Sequence, residues 1–497
     1  MLCRKTSAMR WLTLLEHFWP HLMAGFDLAA VLLASGHALL HKREPRAATL
    51  WIGVIWLLPA VGPLLYLAFG VNRLRRRARA LGVRKTFSRA IPDDLGEPAS
   101  ASAEHLQHLA RVVSRVVALP LTAGNKIEPL VNGDAAFPAM LAAIEAAKKS
   151  VALASYIFDN DATGKKFVAA LACAVQRGVA VRVLVDAAGA RYSWPPITWS
   201  LRREKIPFAK FLPASLFTPW RVATINLRNH RKSLVVDGEI AFSGGMNIRQ
   251  GNLLAEKPAQ PVQDLHFRIT GPVVMELQEA FANDWAFTTG EILAGDTWFP
   301  HSETSFVRAG WQTAGNVIAR VVTDGPDEDF DKLRLTLLAA LAEAQESVQI
   351  LTPYFLPDTA LISALNLAAL RGVRVDIVLP AKNNLPFVHW ASRAMWWQVL
   401  ERGCKIWLTP PPFDHSKLMI VDGHWVLLGS ANWDARSLRL NFELNVECYG
   451  REFAGAMQQV FQQKIAAARE VTLAEADSRS LPAKLRDATA RLFSPYL

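Results

Sequence analysis

The stretch Asn229-His230-Arg231-Lys232-Ser233-Leu234-Val235-Val236-Asp237 returns later in the chain as Asp414-His415-Ser416-Lys417-Leu418-Met419-Ile420-Val421-Asp422. Both copies read His, any residue, Lys, four apolar or small residues, Asp. The match runs on downstream: Asn247 follows His230 by 17 residues, and Asn432 follows His415 by 17. An acid comes next in each copy, Asp264 in the first and Glu443 in the second. One such cluster would read as a satisfied core histidine beside a solvated lysine. Two with the same internal spacing make a repeat.

Working outward, the text before each cluster repeats as well. A helical pattern over 140–149 leads into an apolar β-branched run over 151–158; a second helix closes on Arg177-Gly178-Val179, and a strand follows over 181–186. The later half answers with a helix over 335–346, a strand over 348–355, a helix closing on Arg371-Gly372-Val373 and a strand over 375–379. Short β-branched runs alternating with Ala- and Leu-rich helical stretches predict an α/β sheet. Gly just past each helix end supplies the left-handed residue that closes it. The predicted fold is therefore α/β, with two duplicated α/β/α domains over 124–310 and 311–497 related by a pseudo-twofold axis.

Alternation along a strand places a His and a Lys two residues apart on one face, so imidazole and ammonium project into one space. Two copies facing across a pseudo-twofold interface would set two imidazoles around a group held by two lysines and two asparagine amides. Such a cradle of donors suits a phosphodiester, because lysine is a point-charge partner for phosphate oxygens and fixed donors stabilise charge developing at phosphorus. A neutral His is a competent nucleophile when an acid behind it fixes its tautomer, and the second His can serve as acid and then base. Metal catalysis fits less well: Lys is no ordinary metal ligand, and neither cluster has the helical two-His spacing of a zinc site. No metal and no cofactor is expected.

The net charge of +11 invites a nucleic-acid reading, but thirteen of the 55 Lys and Arg lie in residues 1–85 against three acids, which leaves the rest close to neutral. That basic segment holds two apolar runs, 21–40 and 47–70, each long enough to cross about 30 Å of hydrocarbon as a helix. A transmembrane helical hairpin is expected within an anchor over 1–86, followed by a linker over 87–123 in which a helix covers 106–117. A cleaved signal peptide or a buried core hairpin are the competing readings. Arg73, Arg75, Arg76, Arg77, Arg79, Arg84 and Lys85 after the second run place the remainder in the cytoplasm by the positive-inside bias. With 51% hydrophobic and 20% charged residues, the chain folds around a large core. The four cysteines show no CxxC spacing, so neither a disulfide framework nor a thiolate zinc site is suggested.

Aromatic and basic residues interleave over 194–220, with Trp194, Trp199, Phe208, Phe211, Phe217 and Trp220 among Arg202, Arg203, Lys205 and Lys210; Trp390, Trp396 and Trp397 add a second such stretch. This composition suits a lipid headgroup region and predicts a surface by which lipid reaches the site.

The paired clusters resemble the signature of the phospholipase D superfamily, and the phrases around them resemble bacterial cardiolipin synthases. The resemblance rests on Gly62-Pro63-Leu64-Leu65-Tyr66, Tyr156-Ile157-Phe158 with Asp161 and Gly164, Gly244-Gly245-Met246-Asn247, Asp324-Gly325-Pro326, Thr352-Pro353-Tyr354-Phe355, and Gly429-Ser430-Ala431-Asn432 through Asn441-Phe442-Glu443. It implies a transfer in which two phosphatidylglycerol molecules give cardiolipin and glycerol, in a multi-pass protein of the bacterial inner membrane with cytoplasmic catalytic domains. The partners implied are phosphatidylglycerol and membrane lipids, not nucleic acid. Carried over residue by residue, it makes His230 the nucleophile and His415 the acid and base, an assignment open to exchange between near-symmetric halves. The implied catalytic set is His230, Lys232, Asp237, His415, Lys417 and Asp422, the two Asp being structural acids of the motif; Asn247, Asn432, Asp264, Glu443 and Ser430 bind phosphate or support the histidines. One departure is that Val262-Gln263 precede Asp264, where the family often has an aromatic residue. A hydrolase of the same superfamily, another phosphatidyltransferase, or a membrane scaffold without turnover remain alternatives, and oligomeric state is not legible.

Overall fold

A computed structural model describes residues 3–42, 45–70, 105–213, 227–300, 314–326 and 329–494. The arginine-rich stretch after residue 70, the part of the expected linker before residue 105, Phe217, Trp220 and the expected 310/311 domain boundary lie outside these residues.

The N-terminal unit is helical. A helix runs Cys3–His41, and its Phe18–His41 portion is the one helix among the described residues long and apolar enough to cross a membrane. A second helix, Pro45–Leu57, packs back on it, burying Val31, Ala34 and Ala38 with Ile55 and Tyr66, and the His37 ring nitrogen Nδ1 lies 2.8 Å from the Tyr66 hydroxyl. The expected apolar run over 47–70 is not one continuous helix: the chain breaks after Leu57, turns, and resumes as the short pieces Gly62–Leu65 and Tyr66–Gly70. Pro59 and Pro63 carry no N–H to continue the ladder. Gly62 then lies so close to the preceding helix that a Cβ would fall 2.6 Å from the Ile55 Cα.

The larger unit is built on one long sheet. The first half supplies β1 (Thr122–Val131), β2 (Ser150–Ser155), β3 (Ala180–Asp186), β4 (Phe208–Phe211), β5 (Arg228–Asn229), β6 (Ser233–Val236), β7 (Ile240–Gly244), β8 (Val262–Gln263) and β9 (Leu265–Thr270). The second supplies β10 (Val317–Asp324), β11 (Ser347–Leu351), β12 (Arg374–Pro380), β13 (Lys405–Thr409), β14 (Phe413–Asp414), β15 (Leu418–Val421), β16 (Trp425–Gly429), β17 (Asn441–Tyr449) and β18 (Arg469–Val471). From the middle outward the first half reads β1-β9-β7-β6-β2-β3-β4 and the second β10-β17-β16-β15-β11-β12-β13-β18, so the duplication holds strand for strand with one extra edge strand. Antiparallel pairing of β1 with β10, Thr122 opposite Ala319, joins the halves.

The repeated punctuation does the work expected of it. Gly178 and Gly372 close their helices at φ +85° and +93°, and Arg177 and Arg371 reach back to carbonyls at the end of the preceding helix, Ile144 and Ala344 among them. Asp161 and Asp358 cap the helices Ala162–Gln176 and Thr359–Leu370 through the Gly164 and Leu361 N–H groups. The helix Leu106–Val117, placed by sequence in the linker, buries Leu106, Leu109, Val113 and Val117 in the core of the second half.

Candidate active site

Each His-x-Lys segment is docked on the opposite half. Strand β5 pairs with the start of β17, and the His230 N–H donates to the Phe442 carbonyl at 2.9 Å. Strand β14 pairs with β8, and the His415 N–H donates to the Gln263 carbonyl at 2.8 Å. The register places each histidine beside the acid of the other half. His230 Nδ1 lies 3.0 Å from both carboxylate oxygens of Glu443, and His415 Nδ1 lies 2.8 Å from Asp264 Oδ2. The carboxylate acts as acceptor, so Nδ1 carries the proton and Nε2 faces the site with its lone pair.

Strand alternation is not what aligns the His and Lys, because residues 230–232 and 415–417 form links between strands. Each lysine instead folds back to donate to the carbonyl of its own histidine, Lys232 to His230 at 2.7 Å and Lys417 to His415. Both members of the first pair meet Tyr156: the His230 ring lies 5.0 Å from it edge-on, and Lys232 Nζ sits 5.2 Å over its face.

Burial dominates the electrostatics. Loss of hydration lowers His230 and His415 to about 4, so both imidazoles rest neutral, and lowers Lys232 to about 7 and Lys417 to about 8. Burial also works to raise Glu443, but His230, Lys232 and the Ser430 hydroxyl hold it below its ordinary value. The lysine charges cross the seam too: Lys417 acts on His230 and Lys232 on His415. The half-sites therefore behave as one electrostatic unit.

The supporting residues differ between halves. Glu443 accepts from the Ser430 hydroxyl at 2.5 Å and the Asn441 amide at 3.0 Å. Gly245 stands where Ser430 stands, and Asp264, one carbon shorter than Glu443, comes so near that a Cβ on Gly245 would meet its Oδ1 at 2.3 Å. Asp264 draws on the Leu265 N–H at 2.8 Å instead. Asn247 accepts the Ile157 N–H at 3.0 Å through Oδ1, which leaves its Nδ2 as the donating end, while the buried Oδ1 of Asn432 meets no partner.

Asp237 and Asp422, included by sequence in the catalytic set, stand at the far ends of β6 and β15 from the histidines. Asp237 accepts the backbone N–H groups of Lys148, Lys149 and Ser150; Asp422 accepts those of Gln345, Glu346 and Ser347 and pairs with His105 at 2.8 Å. They pin a helix-to-strand turn in each half, at φ +54° and +52°. The expected lipid-access aromatics divide. Trp194, Trp199 and Trp397 are exposed, whereas Phe211 is core against Phe442, and Trp396 is buried.

Sequence reasoning gave no role to the tyrosines that flank the histidines. Tyr354 lies 6.3 Å from the His415 ring, as Tyr156 does at 5.0 Å from His230, and burial pushes both phenols up. They do not occupy equivalent positions. Ser155 and Thr352 match, each donating to the carbonyl two residues on, which sets Tyr156 against Pro353 and Tyr354 against Ile157. Arg231 was likewise passed over; its guanidinium pairs with Asp284 at 2.7 Å and donates to the Glu443 carbonyl at 3.1 Å, clamping the first motif onto the second half.

Comparison with known proteins places this geometry. The family model described as "Cardiolipin synthase, PLD-like domain" matches residues 140–285 and 337–465, and one described as "Phospholipase_D-nuclease N-terminal" matches 29–70. The chain is 31% identical to "Cardiolipin synthase 1" of Bacillus anthracis over 92% of this chain and 90% of that one. It is 30% identical to "Cardiolipin synthase A" of Pseudomonas fluorescens over 97% of this chain and 100% of that one. Among solved structures, the phosphatidylserine synthase of Haemophilus influenzae superposes with TM-score 0.60 at 15% identity, covering 78% of this chain and 100% of its own, a likeness of fold.

Proposed function

The chain belongs to the cardiolipin synthase family of phospholipase D-like phosphatidyltransferases, and from that premise we propose that it moves a phosphatidyl group between two phosphatidylglycerol molecules through a phosphohistidine. The observation that carries this reading is the crossed pairing of His230 with Glu443 and His415 with Asp264, which brings both imidazoles to one seam. His230 Nε2 attacks phosphorus as the bond to the departing glycerol oxygen breaks, and protonated His415 gives that oxygen its proton. Neutral His415 then takes the proton of the second lipid's glycerol hydroxyl as that oxygen attacks phosphorus, expelling His230 and giving cardiolipin. The free site holds both imidazoles neutral; a bound phosphodiester anion raises His415 and supplies the acid form. Lys232, Lys417, Asn247 and Asn432 would hold the phosphate oxygens, with charge growing at phosphorus stabilised by donors already in place.

We further propose that both apolar N-terminal runs lie in the bacterial inner membrane and that the catalytic halves face the cytoplasm, on the strength of the arginines after residue 70.

The test uses the full chain with labelled phosphatidylglycerol. Cardiolipin with one glycerol per turnover supports the transfer; phosphatidic acid as the main product overturns it in favour of hydrolysis. His415→Ala, given a phosphatidyl donor with a nitrophenolate leaving group that needs no proton, should accumulate acid-labile label on His230. Label on residue 415 in His230→Ala, and none in His415→Ala, would exchange the two roles.

A further inference from the structure

The C-terminal helix Leu481–Arg491 is divided by its own sequence into opposed faces. At 100° per residue, Leu481, Leu485 and Leu492 fall within about 40° of one another. They are 68%, 60% and 75% exposed. Asp487 and Ala490 lie on the opposite side, fully buried against the helix Pro386–Arg393. Between these faces stand cations, Lys484 and Arg491 on one flank and Arg486 on the other. The single acid, Asp487, is consumed inside by Arg479, Arg486 and Arg393. A leucine stripe edged by cations, with Lys484 and Arg491 together on one flank, is the pattern of a helix lying in a lipid interface.

Contacts tie this helix to the mouth of the site. Phe493, just past its end, packs on Phe387 with ring centroids 5.6 Å apart, and Arg486 sits 4.5 Å over the Trp390 ring. Exposed Leu385 precedes that segment, and its neighbour Asn384 accepts the Tyr354 hydroxyl at 2.8 Å. Tyr354 flanks His415. The other half offers a matching rim: Tyr156 beside His230 meets exposed Tyr192 at 6.3 Å, which leads to Trp194, 84% exposed, packed edge-on against Trp199. Each histidine is thus flanked by a tyrosine from which contacts lead to exposed apolar residues, Leu385 and Phe387 in one half and Trp194 in the other.

We propose that the C-terminal helix docks on the surface of an anionic bilayer through Leu481, Leu485 and Leu492, seating the mouth of the site against the lipid it draws from. The choice of an anionic bilayer as occupant rests on the cations that edge the stripe, which complement acidic headgroups, and on the phosphatidylglycerol reading of the site.

The test places an environment-sensitive nitrobenzoxadiazole probe on Leu485→Cys in the full chain, with Cys3→Ser and Cys173→Ser so that the remaining cysteines, Cys404 and Cys448, are buried. The protein is reconstituted into phosphatidylcholine nanodiscs with or without phosphatidylglycerol. Docking gives a blue-shifted emission, quenched by brominated lipid and several-fold more so with phosphatidylglycerol, while a probe at Glu346→Cys, at the other end of β11 from Tyr354, stays water-like. Water-like emission at position 485 in phosphatidylglycerol discs overturns the proposal. Cardiolipin made in the same discs separates the two readings: synthesis with an unshielded probe sinks docking alone, and a shielded probe without synthesis sinks the catalytic reading alone.

Discussion

His230 takes its carboxylate from the opposite half of the chain: Glu443, 213 residues away, meets its Nδ1 at 3.0 Å from both oxygens. His415 and Asp264 repeat the relationship in the reverse direction. Neither half contains a complete histidine and acid pair, so the chemistry belongs to the seam.

Glu443→Gln and Asp264→Asn keep the shape of the acceptor but remove its charge, and the amide no longer fixes the imidazole tautomer. Each should lower kcat for cardiolipin formation about 100-fold or more, in the range general acid and base catalysis supplies. Thermal unfolding of both variants near the parent temperature would confirm that chemistry, not folding, was lost.

Ser430 and Gly245 occupy matching places with opposite tolerance. Ser430→Ala removes one hydroxyl donor from Glu443 and should cost about 10-fold in kcat, a hydrogen bond to a charged group being worth about 1.5–3 kcal/mol. Gly245→Ala puts a Cβ where the Asp264 carboxylate lies and should cost more than Ser430→Ala. Steady-state rates of the two variants side by side check the order.

Lys232 and Lys417 set the alkaline limit. With Lys232 lowered to about 7 and Lys417 to about 8 in the free site, kcat/KM should fall as pH rises through 7 to 8 and the cradle loses its charge. A bound phosphodiester pulls both values up, so kcat at saturating lipid should hold to higher pH. A pH profile in which both parameters fall together would contradict this.

Three imidazoles, His230, His266 and His415, are lowered to about 4, chiefly by loss of hydration, against an ordinary value near 6.5. Between those limits the unfolded chain binds more protons than the folded one, so folding stability rises with pH across the window and drains away as pH falls from 6.5 toward 4. The unfolding temperature should drop over that window, and less so in His266→Gln.

Asp237→Asn and Asp422→Asn should destabilise the fold by about 1–3 kcal/mol through weakened bonds to three backbone N–H groups each. The folded fraction should keep kcat within a few-fold, as measured by activity normalised to native protein.

Periodicity and repeat spacing carried the reading far. The repeated succession of helix and strand, the Arg-Gly-Val helix ends and the histidine, lysine and acid set are local patterns stated twice, and a pattern stated twice survives noise. The crossing of acids between halves was not legible, since spacing within a half does not say which half's pocket a side chain enters. The tyrosines were hidden for a different reason: Tyr156 and Tyr354 reach their histidines from positions one residue out of step, so comparison of the halves passes over them. The break in the second apolar run was not read because a window average over 47–70 stays apolar across Pro59 and Pro63 and is blind to the N–H groups they lack.

The place of Glu443 late in the chain bears on synthesis at the ribosome. Strand β17, which carries Glu443, lies between β10 and β16, so the first histidine stays without its acid until nearly nine tenths of the polypeptide has emerged. A nascent chain therefore lacks the His230–Glu443 pair, and the two-imidazole seam forms only once the second half has closed on the first.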